Sequence, residues 1–279
     1  MPMKTKLFSY NFEDTYIHRL SGLTKLMCFL LLTFAVMFSY DIRVILAAMA
    51  FSLWMLKLSK IKYAQIKLML LYVAAFLLTN AVITFLFSPE LGVSIYSTRH
   101  ELFSLFGPYK VTSEQLFYQT TKLLKYAAVV PLGIIFLLTT NPSEFASSLS
   151  GVGVPYKAAF SVALTLRYFP DIMRNYQDIS HAQQARGLEM SNKSGLMARF
   201  KNSLMIVIPL IFSTLDRIEL ITNAMDLRGF AKHNKRTWYN TKKLDKEDFL
   251  AIGSSVFFFA MTVGISVFVN HSRYFNPFV

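Results

Sequence analysis

The chain has 279 residues, of which 54% are apolar and only 16% charged, and its mean hydropathy is +0.40. That is more apolar surface than a soluble core of this size takes up, so a lipid environment is expected. The net charge of +13 is assigned to loops that orient a membrane protein, with no nucleic acid as partner, and the single cysteine, Cys28, excludes an internal disulfide or a cysteine metal site.

The first apolar run follows a polar and aromatic arm and has no small-residue cleavage site after it, so it reads as a retained span. Five spans are predicted: Leu23–Tyr40, Ile42–Leu58, Ile66–Phe87, Leu123–Thr140 and Phe249–Asn270. Each approaches the ~17–25 residues that cross the hydrocarbon core of a bilayer. No Asp, Glu, Lys or Arg occurs from Leu68 to Phe87 or from Phe249 to Asn270. Ion-coupled carriers keep ionisable groups at that depth, and none is present for such a role. Asn80 is the most polar mid-span residue. It reads as an interhelical hydrogen bond, with a substrate ligand as the alternative.

The Lys and Arg distribution sets the orientation. Lys4, Lys6, Arg19 and Lys25 precede or open the first span, and Lys57, Lys60, Lys62 and Lys67 surround the loop after the second. The segment 141–246 carries fifteen Lys or Arg against eight Asp or Glu, whereas Ser88–Tyr118 holds only Arg99 and Lys110. The balance predicts a cytosolic N-terminus, a cytosolic 141–246 segment and an external C-terminus in the cell membrane.

Asn141-Pro142-Ser143-Glu144 reads as a helix start, with a capping side chain, proline in the first turn and an acid behind it. This short helix ends at Ser150-Gly151-Val152-Gly153. Pro155 then opens a long helix to about Arg186. Val162, Leu166, Phe169, Met173 and Tyr176 recur at spacings of four and three, which is one helical face. Pro170 lies inside and predicts a bend, and Gly187 is the stop. After the turn at Ser191–Gly195 the pattern repeats. Leu204, Ile208, Ile211, Leu215, Ile218 and Met225 form the stripe, Pro209 is interior, and Gly229 is the stop after Arg228. Stripes of this spacing usually pack, here helix on helix at the membrane surface.

The two helix ends align without a gap, Ala182-Gln183-Gln184-Ala185-Arg186-Gly187 with Ala224-Met225-Asp226-Leu227-Arg228-Gly229. One Arg-Gly is an ordinary helix cap, with a cation favouring the negative end by ~0.3–1 kcal/mol. Two in matched settings, each with a small Ala182 or Ala224 one turn earlier, point to docking of a partner. The fold class expected is an all-α integral membrane protein. About five transmembrane helices are joined by a short helix and two long amphipathic cytosolic helices inserted between spans four and five. The regions are 1–140, 141–246 and 247–279.

These residues resemble the transmembrane coupling component, the T subunit, of energy-coupling factor transporters. Two Ala-Arg-Gly-like motifs carry the resemblance, Ala185-Arg186-Gly187 and Leu227-Arg228-Gly229, the second with Leu for Ala. It extends to Ile17-His18-Arg19-Leu20, Asn141-Pro142-Ser143-Glu144, Val154-Pro155-Tyr156, Arg167-Tyr168-Phe169-Pro170, Gly229-Phe230 and Arg236-Thr237. It is weak over 88–118. The resemblance implies two ABC-type ATPase partners, each receiving Arg186 or Arg228 in an acidic groove. It also implies a small membrane protein, the S component, that captures a vitamin or metal ion and lies on the apolar faces. ATP and magnesium would then be bound by the partners, since this chain has no Gly-x-x-x-x-Gly-Lys-Ser/Thr loop. No catalytic motif appears either, so a membrane-embedded enzyme is disfavoured. A secondary carrier or an ordinary ABC permease are the remaining alternatives. The first lacks mid-span charge, and the second docks through one short helix per chain.

Overall fold

The computed structural model describes residues 15–61, 63–106, 109–188, 195–230, 232, 237–238, 242 and 244–278. Lys4, Lys6, Lys62, Ser191, His233 and Arg236, which enter the sequence reading, lie outside them. The chain forms two compact units. The first comprises Met1–Asn141 with Lys242–Val279, and the second Pro142–Thr241.

The first unit holds α1 (Tyr16–Arg19), α2 (Gly22–Phe38), α3 (Ile42–Leu58), α4 (Tyr63–Phe87), α5 (Leu91–Tyr96), a hairpin of β1 (Glu101–Phe106) and β2 (Tyr109–Thr112), α6 (Ser113–Thr139) and α10 (Lys246–Gly264). The last helix continues as a π-helical turn over Ile265–Val269. Among the described residues three helices are long and apolar enough to cross a membrane: Ile66–Phe87, Ser113–Thr139 and Lys246–Val269. The shorter α2 and α3 have 17 residues each, about 25 Å at 1.5 Å per residue. They pack against the longer ones, α2 on α10 and α3 on α6. The core between them is small and close-packed, with Val36 and Ile45 fully buried beside Ala48 and Ala128.

Two polar layers mark the ends of this helix group. At one end Asp41 caps α3, accepting from the Arg43 backbone N–H at 2.9 Å and from its guanidinium at 2.8 Å. Asn270 at the end of the π-turn donates to the same carboxylate at 2.9 Å. The tail then crosses this end. The Tyr40 N–H donates to the Arg273 carbonyl at 2.7 Å, and Asn276 reaches the Tyr96 carbonyl. Tyr274 stacks on Tyr40 at 4.7 Å, and Phe278 packs against Tyr96 and Phe117. At the other end the Asp248 carboxylate, three residues into α10, accepts from the Ser21 N–H at 2.9 Å. The Lys25 ammonium donates to the His18 and Thr139 carbonyls. Helices α2, α6 and α10 thus contribute to both layers, and α3 starts at the first. Two buried hydroxyls of α10 return their hydrogen bonds to their own helix, Ser255 to the Ala251 carbonyl and Thr262 to that of Phe258, which suits groups in hydrocarbon.

Two features differ from the sequence expectation. The fourth long helix starts at Ser113, ten residues before Leu123. Lys122 and Lys125 suggested a boundary, but both ammoniums are satisfied within the helix group. Lys122 donates to Thr84 Oγ1 at 2.7 Å. Lys125 donates to the Met37 carbonyl at 2.6 Å and lies over the Tyr40 ring. The hairpin in the otherwise helical chain was not foreseen. Its surface is held by Arg99 and Lys110 on the Glu101 carboxylate, at 2.8 and 2.9 Å.

Candidate docking site

The second unit holds α7 (Pro142–Gly151), α8 (Tyr156–Ala185) and α9 (Leu196–Leu227). Pro142 is the first residue of α7, where its missing N–H leaves no gap. Both long helices are continuous through Pro170 and Pro209.

Both ends predicted as docking points are the same capping structure. In α8 the Leu188 N–H donates to the Gln183 carbonyl at 3.1 Å and the Gly187 N–H to that of Gln184 at 3.0 Å. In α9 the Phe230 N–H donates to Met225 and the Gly229 N–H to Asp226, each at 2.9 Å. These are paired Schellman bonds closing over a left-handed residue. Gly187 has φ +89 and Gly229 φ +68, values that glycine takes without steric penalty. The arginines sit one residue before, at the cap position, with nearly equal backbone angles of (−85, 10) and (−83, 5). The two Cα–Cβ bonds therefore leave their helices in nearly the same direction relative to the local axis. Arg186 and Arg228 are exposed, as are Ala182, Ala185 and Ala224. Among the described residues neither guanidinium makes an ion pair. The helix α7 ends in the same cap, Val154 to Leu149 and Gly153 to Ser150, with Val152 in place of arginine.

The long helices run antiparallel. Phe230, just past the end of α9, packs on Phe160 in the first turns of α8 with ring centroids 4.7 Å apart. Tyr156 and Trp238 complete that aromatic cluster. Midway, Arg217 approaches Asp171 at 3.9 Å, an exposed pair of small energetic weight. Arg186 and Arg228 consequently lie toward opposite ends of the pair, on the order of 30–40 Å apart along its axis at 1.5 Å per residue.

The apolar stripes are placed differently from the helix-on-helix packing expected. The seam between the helices is a groove of about 350 Å³ lined by Ser161, Leu164, Tyr168, Ile172 and Asn175 on α8 and by Thr214, Arg217, Ile221 and Met225 on α9. Successive helical residues are separated by about 100°, so each stripe lies roughly a quarter-turn from its seam. Phe169 and Ile218 reach the groove's edge. Leu166, Leu204, Ile208, Ile211 and Leu215 stand 37–54% exposed, and Phe169 57%, while Val162 and Met173 are half-buried. In an antiparallel pair, equal offsets of this kind fall on one side. The two stripes therefore merge into a single exposed apolar face, bounded at each end by an arginine-capped terminus. Phe169, Ile218 and Met225 of the predicted stripes line the seam as well, whereas its other residues and the Phe160–Phe230 contact were missed by sequence reasoning, although Val154-Pro155-Tyr156 and Gly229-Phe230 stood among the resembling segments.

A family model described as the CbiQ cobalt transport protein matches residues 13–239, which includes all three helices of this unit. The chain belongs to the CbiQ family. Similar proteins include the energy-coupling factor transporter transmembrane protein EcfT of Leuconostoc gelidum subsp. gasicomitatum, 28% identical over 260 residues that cover 89% of this chain and 93% of that protein. EcfT of Streptococcus equi subsp. equi is 24% identical over 255 residues, covering 86% and 88%. EcfT of Lactococcus lactis subsp. cremoris is 25% identical over 251 residues, covering 87% and 91%. As a CbiQ-family protein the chain is a membrane-borne transmembrane component of an energy-coupling factor transporter, a transport complex with partner components.

Proposed function

We propose that this chain couples two ATPase subunits to a substrate-binding membrane component in an importer, with Arg186 and Arg228 each anchoring one ATPase. The observation that carries this reading is the duplication of one arginine-capped helix end at opposite ends of an antiparallel pair. Two equivalent anchors suit two equivalent partners. A guanidinium stays charged when desolvated and offers five donors in a fixed fork, which suits an acidic groove. The small Ala182 and Ala224 leave room for close approach. ATP and magnesium are then held by the partners, and the chain itself carries no catalytic role. The merged face of Leu166, Phe169, Leu204, Ile208, Ile211, Leu215 and Ile218, flanked by Val162 and Met173, takes the substrate-binding component. The Lys and Arg asymmetry supports a cytosolic N-terminus and 141–246 segment and an external C-terminus. The imported substrate is a vitamin or a metal ion, captured by that component.

The test is co-purification of co-expressed ATPases with Arg186→Glu and Arg228→Glu, alongside uptake. Each reversal is expected to abolish uptake and lose one ATPase contact while the protein still reaches the membrane. Normal pull-down and uptake in both variants would reduce the arginines to helix caps.

A further inference from the structure

The first unit holds a cavity of about 390 Å³ that starts at the layer built on Lys25, Thr139 and Asp248. Its walls run from Lys25 to Leu32 on α2 and from Thr139 back to Leu132 on α6. Seven residues of helix make it roughly 10 Å long, parallel to the helix axes. Phe51 and Met55 of α3 contribute apolar wall, as do Ile17 of α1 and Leu250 of α10. The floor is buried, with Leu32 and Leu132 only 8% and 7% exposed. The rim is open, since Tyr16 and Leu250 line the same space and are 45% and 71% exposed.

One polar group in the wall is unsatisfied. Thr139 is fully buried, its carbonyl accepts from Lys25, and its Oγ1 has no hydrogen-bond partner among the described residues. Ser255, the other buried hydroxyl of the wall, donates to the Ala251 carbonyl. An orphaned hydroxyl is disfavoured, and an empty apolar space forfeits the dispersion contacts of its walls. Water answers neither need, because a buried water takes about two to four polar partners. A slender apolar chain with an acceptor at its head answers both.

We infer that the cavity binds one acyl chain of a bilayer phospholipid, with an ester carbonyl of the glycerol backbone accepting from Thr139 Oγ1. The polar end of the cavity lies in a layer where helices begin and end, the depth at which lipid esters sit. The apolar part runs inward from there, as an acyl chain does within its leaflet. A polar solute would meet one free donor in a largely apolar space, so the cavity does not suit a soluble cargo. The bound chain bridges α2, α6 and α10 beside the point where the polypeptide leaves for the second unit.

The experiment places the full chain in nanodiscs of phosphatidylcholine carrying a diazirine in one acyl chain. Illumination is expected to attach lipid to peptides containing Phe29 and Phe136, which line the cavity. Ala251→Phe puts a ring into the cavity from a half-buried wall position and is expected to abolish those adducts, while adducts on exposed Phe76 of α4 persist. Thr139→Val is expected to lower the phosphatidylcholine retained in native mass spectrometry roughly two- to tenfold, the weight of one hydrogen bond, and Thr139→Ser to restore it. The Thr139→Val arm decides the matter even if the bulkier Ala251→Phe fails to fold. In the delipidated chain Thr139→Val should not lower the melting temperature, since the hydroxyl makes no bond there. Adducts on α4 alone, cavity adducts undiminished in folded Ala251→Phe, or equal retention by Thr139→Val would overturn the inference. So would a lower melting temperature of delipidated Thr139→Val, which would give the hydroxyl a bond within the fold. Competition by oleic acid but not by unlabelled phosphatidylcholine would overturn the phospholipid in favour of a free fatty acid.

Discussion

At the scale of single residues, the docking reading separates what an arginine does for its helix from what it does for a partner. Both guanidiniums are exposed and unpaired among the described residues, so Arg→Ala should change the stability of the isolated chain by at most about 1 kcal/mol. Loss of a buried charged contact in a groove typically costs ~2–5 kcal/mol of binding, and Arg→Lys should recover only part of it for want of the planar fork. Titration of purified ATPases against each variant measures the difference. Equal affinities for the Ala variants and the parent chain would exclude the anchor. Gly229→Ala offers an independent route. It places a Cβ at φ +68 and strains the cap by roughly 1–2 kcal/mol, so it should weaken ATPase binding with Arg228 still present. Asp41 carries a pH prediction. Burial pushes its carboxyl up, but the hydrogen bonds from Arg43 and Asn270 outweigh this and hold it below the ordinary carboxylate range. A lowered folded value means stability that is fully present above the unfolded value of about 3.9 and lost as pH falls through the folded one. The melting temperature in detergent should fall on acidification below about pH 4, and Asp41→Asn should flatten that limb. An acid limb of the same depth in Asp41→Asn would assign it elsewhere. The arginines were legible in the sequence because a glycine stop fixes the residue before it at the cap. Asn270 as the partner of Asp41 was not, since nothing local marks a contact 229 positions away.

At the scale of elements, periodicity located the long helices and their ends but misjudged what their apolar stripes meet. A four-three pattern says that residues share a face. It does not say whether the same chain covers that face. The seam of α8 is built from Ser161, Tyr168, Ile172 and Asn175, whose mixed polarity gives no clean stripe, so the more apolar face drew attention. The hairpin escaped for a related reason, as β1 and β2 are short and interrupted by register shifts that spoil strict alternation. Lys122 and Lys125 hid the start of α6 because the carbonyl and hydroxyl that accept them lie on other helices and the ring lies in the turn between α2 and α3. The exposed face makes a direct prediction. Leu215→Asp should leave the purified chain's melting temperature nearly unchanged, since Leu215 is already 54% exposed. In the complex the same change buries an unpaired charge and should release the substrate-binding component, at several kcal/mol for a dry contact. Retention of that component with full yield would show the face to be wetted by solvent or lipid. A large fall in the free chain's stability would place Leu215 in the fold itself.

At the scale of the whole molecule, two layers of polar and aromatic contacts mark where helices of the first unit begin and end, and the proposed orientation puts those layers on opposite sides of a membrane. The layer built on Lys25, Thr139 and Asp248 adjoins the points where the chain leaves for the basic second unit and returns from it. The layer built on Asp41, Tyr96 and Tyr274 receives the C-terminal tail. Because α2, α6 and α10 each contribute to both layers, inverting any one of them would break contacts in both. The orientation therefore behaves as a single quantity, and one pair of labels decides it. In a Cys28→Ser background, Lys157→Cys on α8 and His271→Cys beyond the π-turn are both exposed positions. A membrane-impermeant maleimide added to intact cells should label His271→Cys and leave Lys157→Cys untouched until the membrane is opened. The reverse pattern would turn the assembly over and remove the ATPases' access to Arg186 and Arg228, since ATP is supplied from the cytosol. Labelling of both positions in intact cells would place Lys157 and His271 on the same, external side of the membrane, and the docking scheme would fall with it.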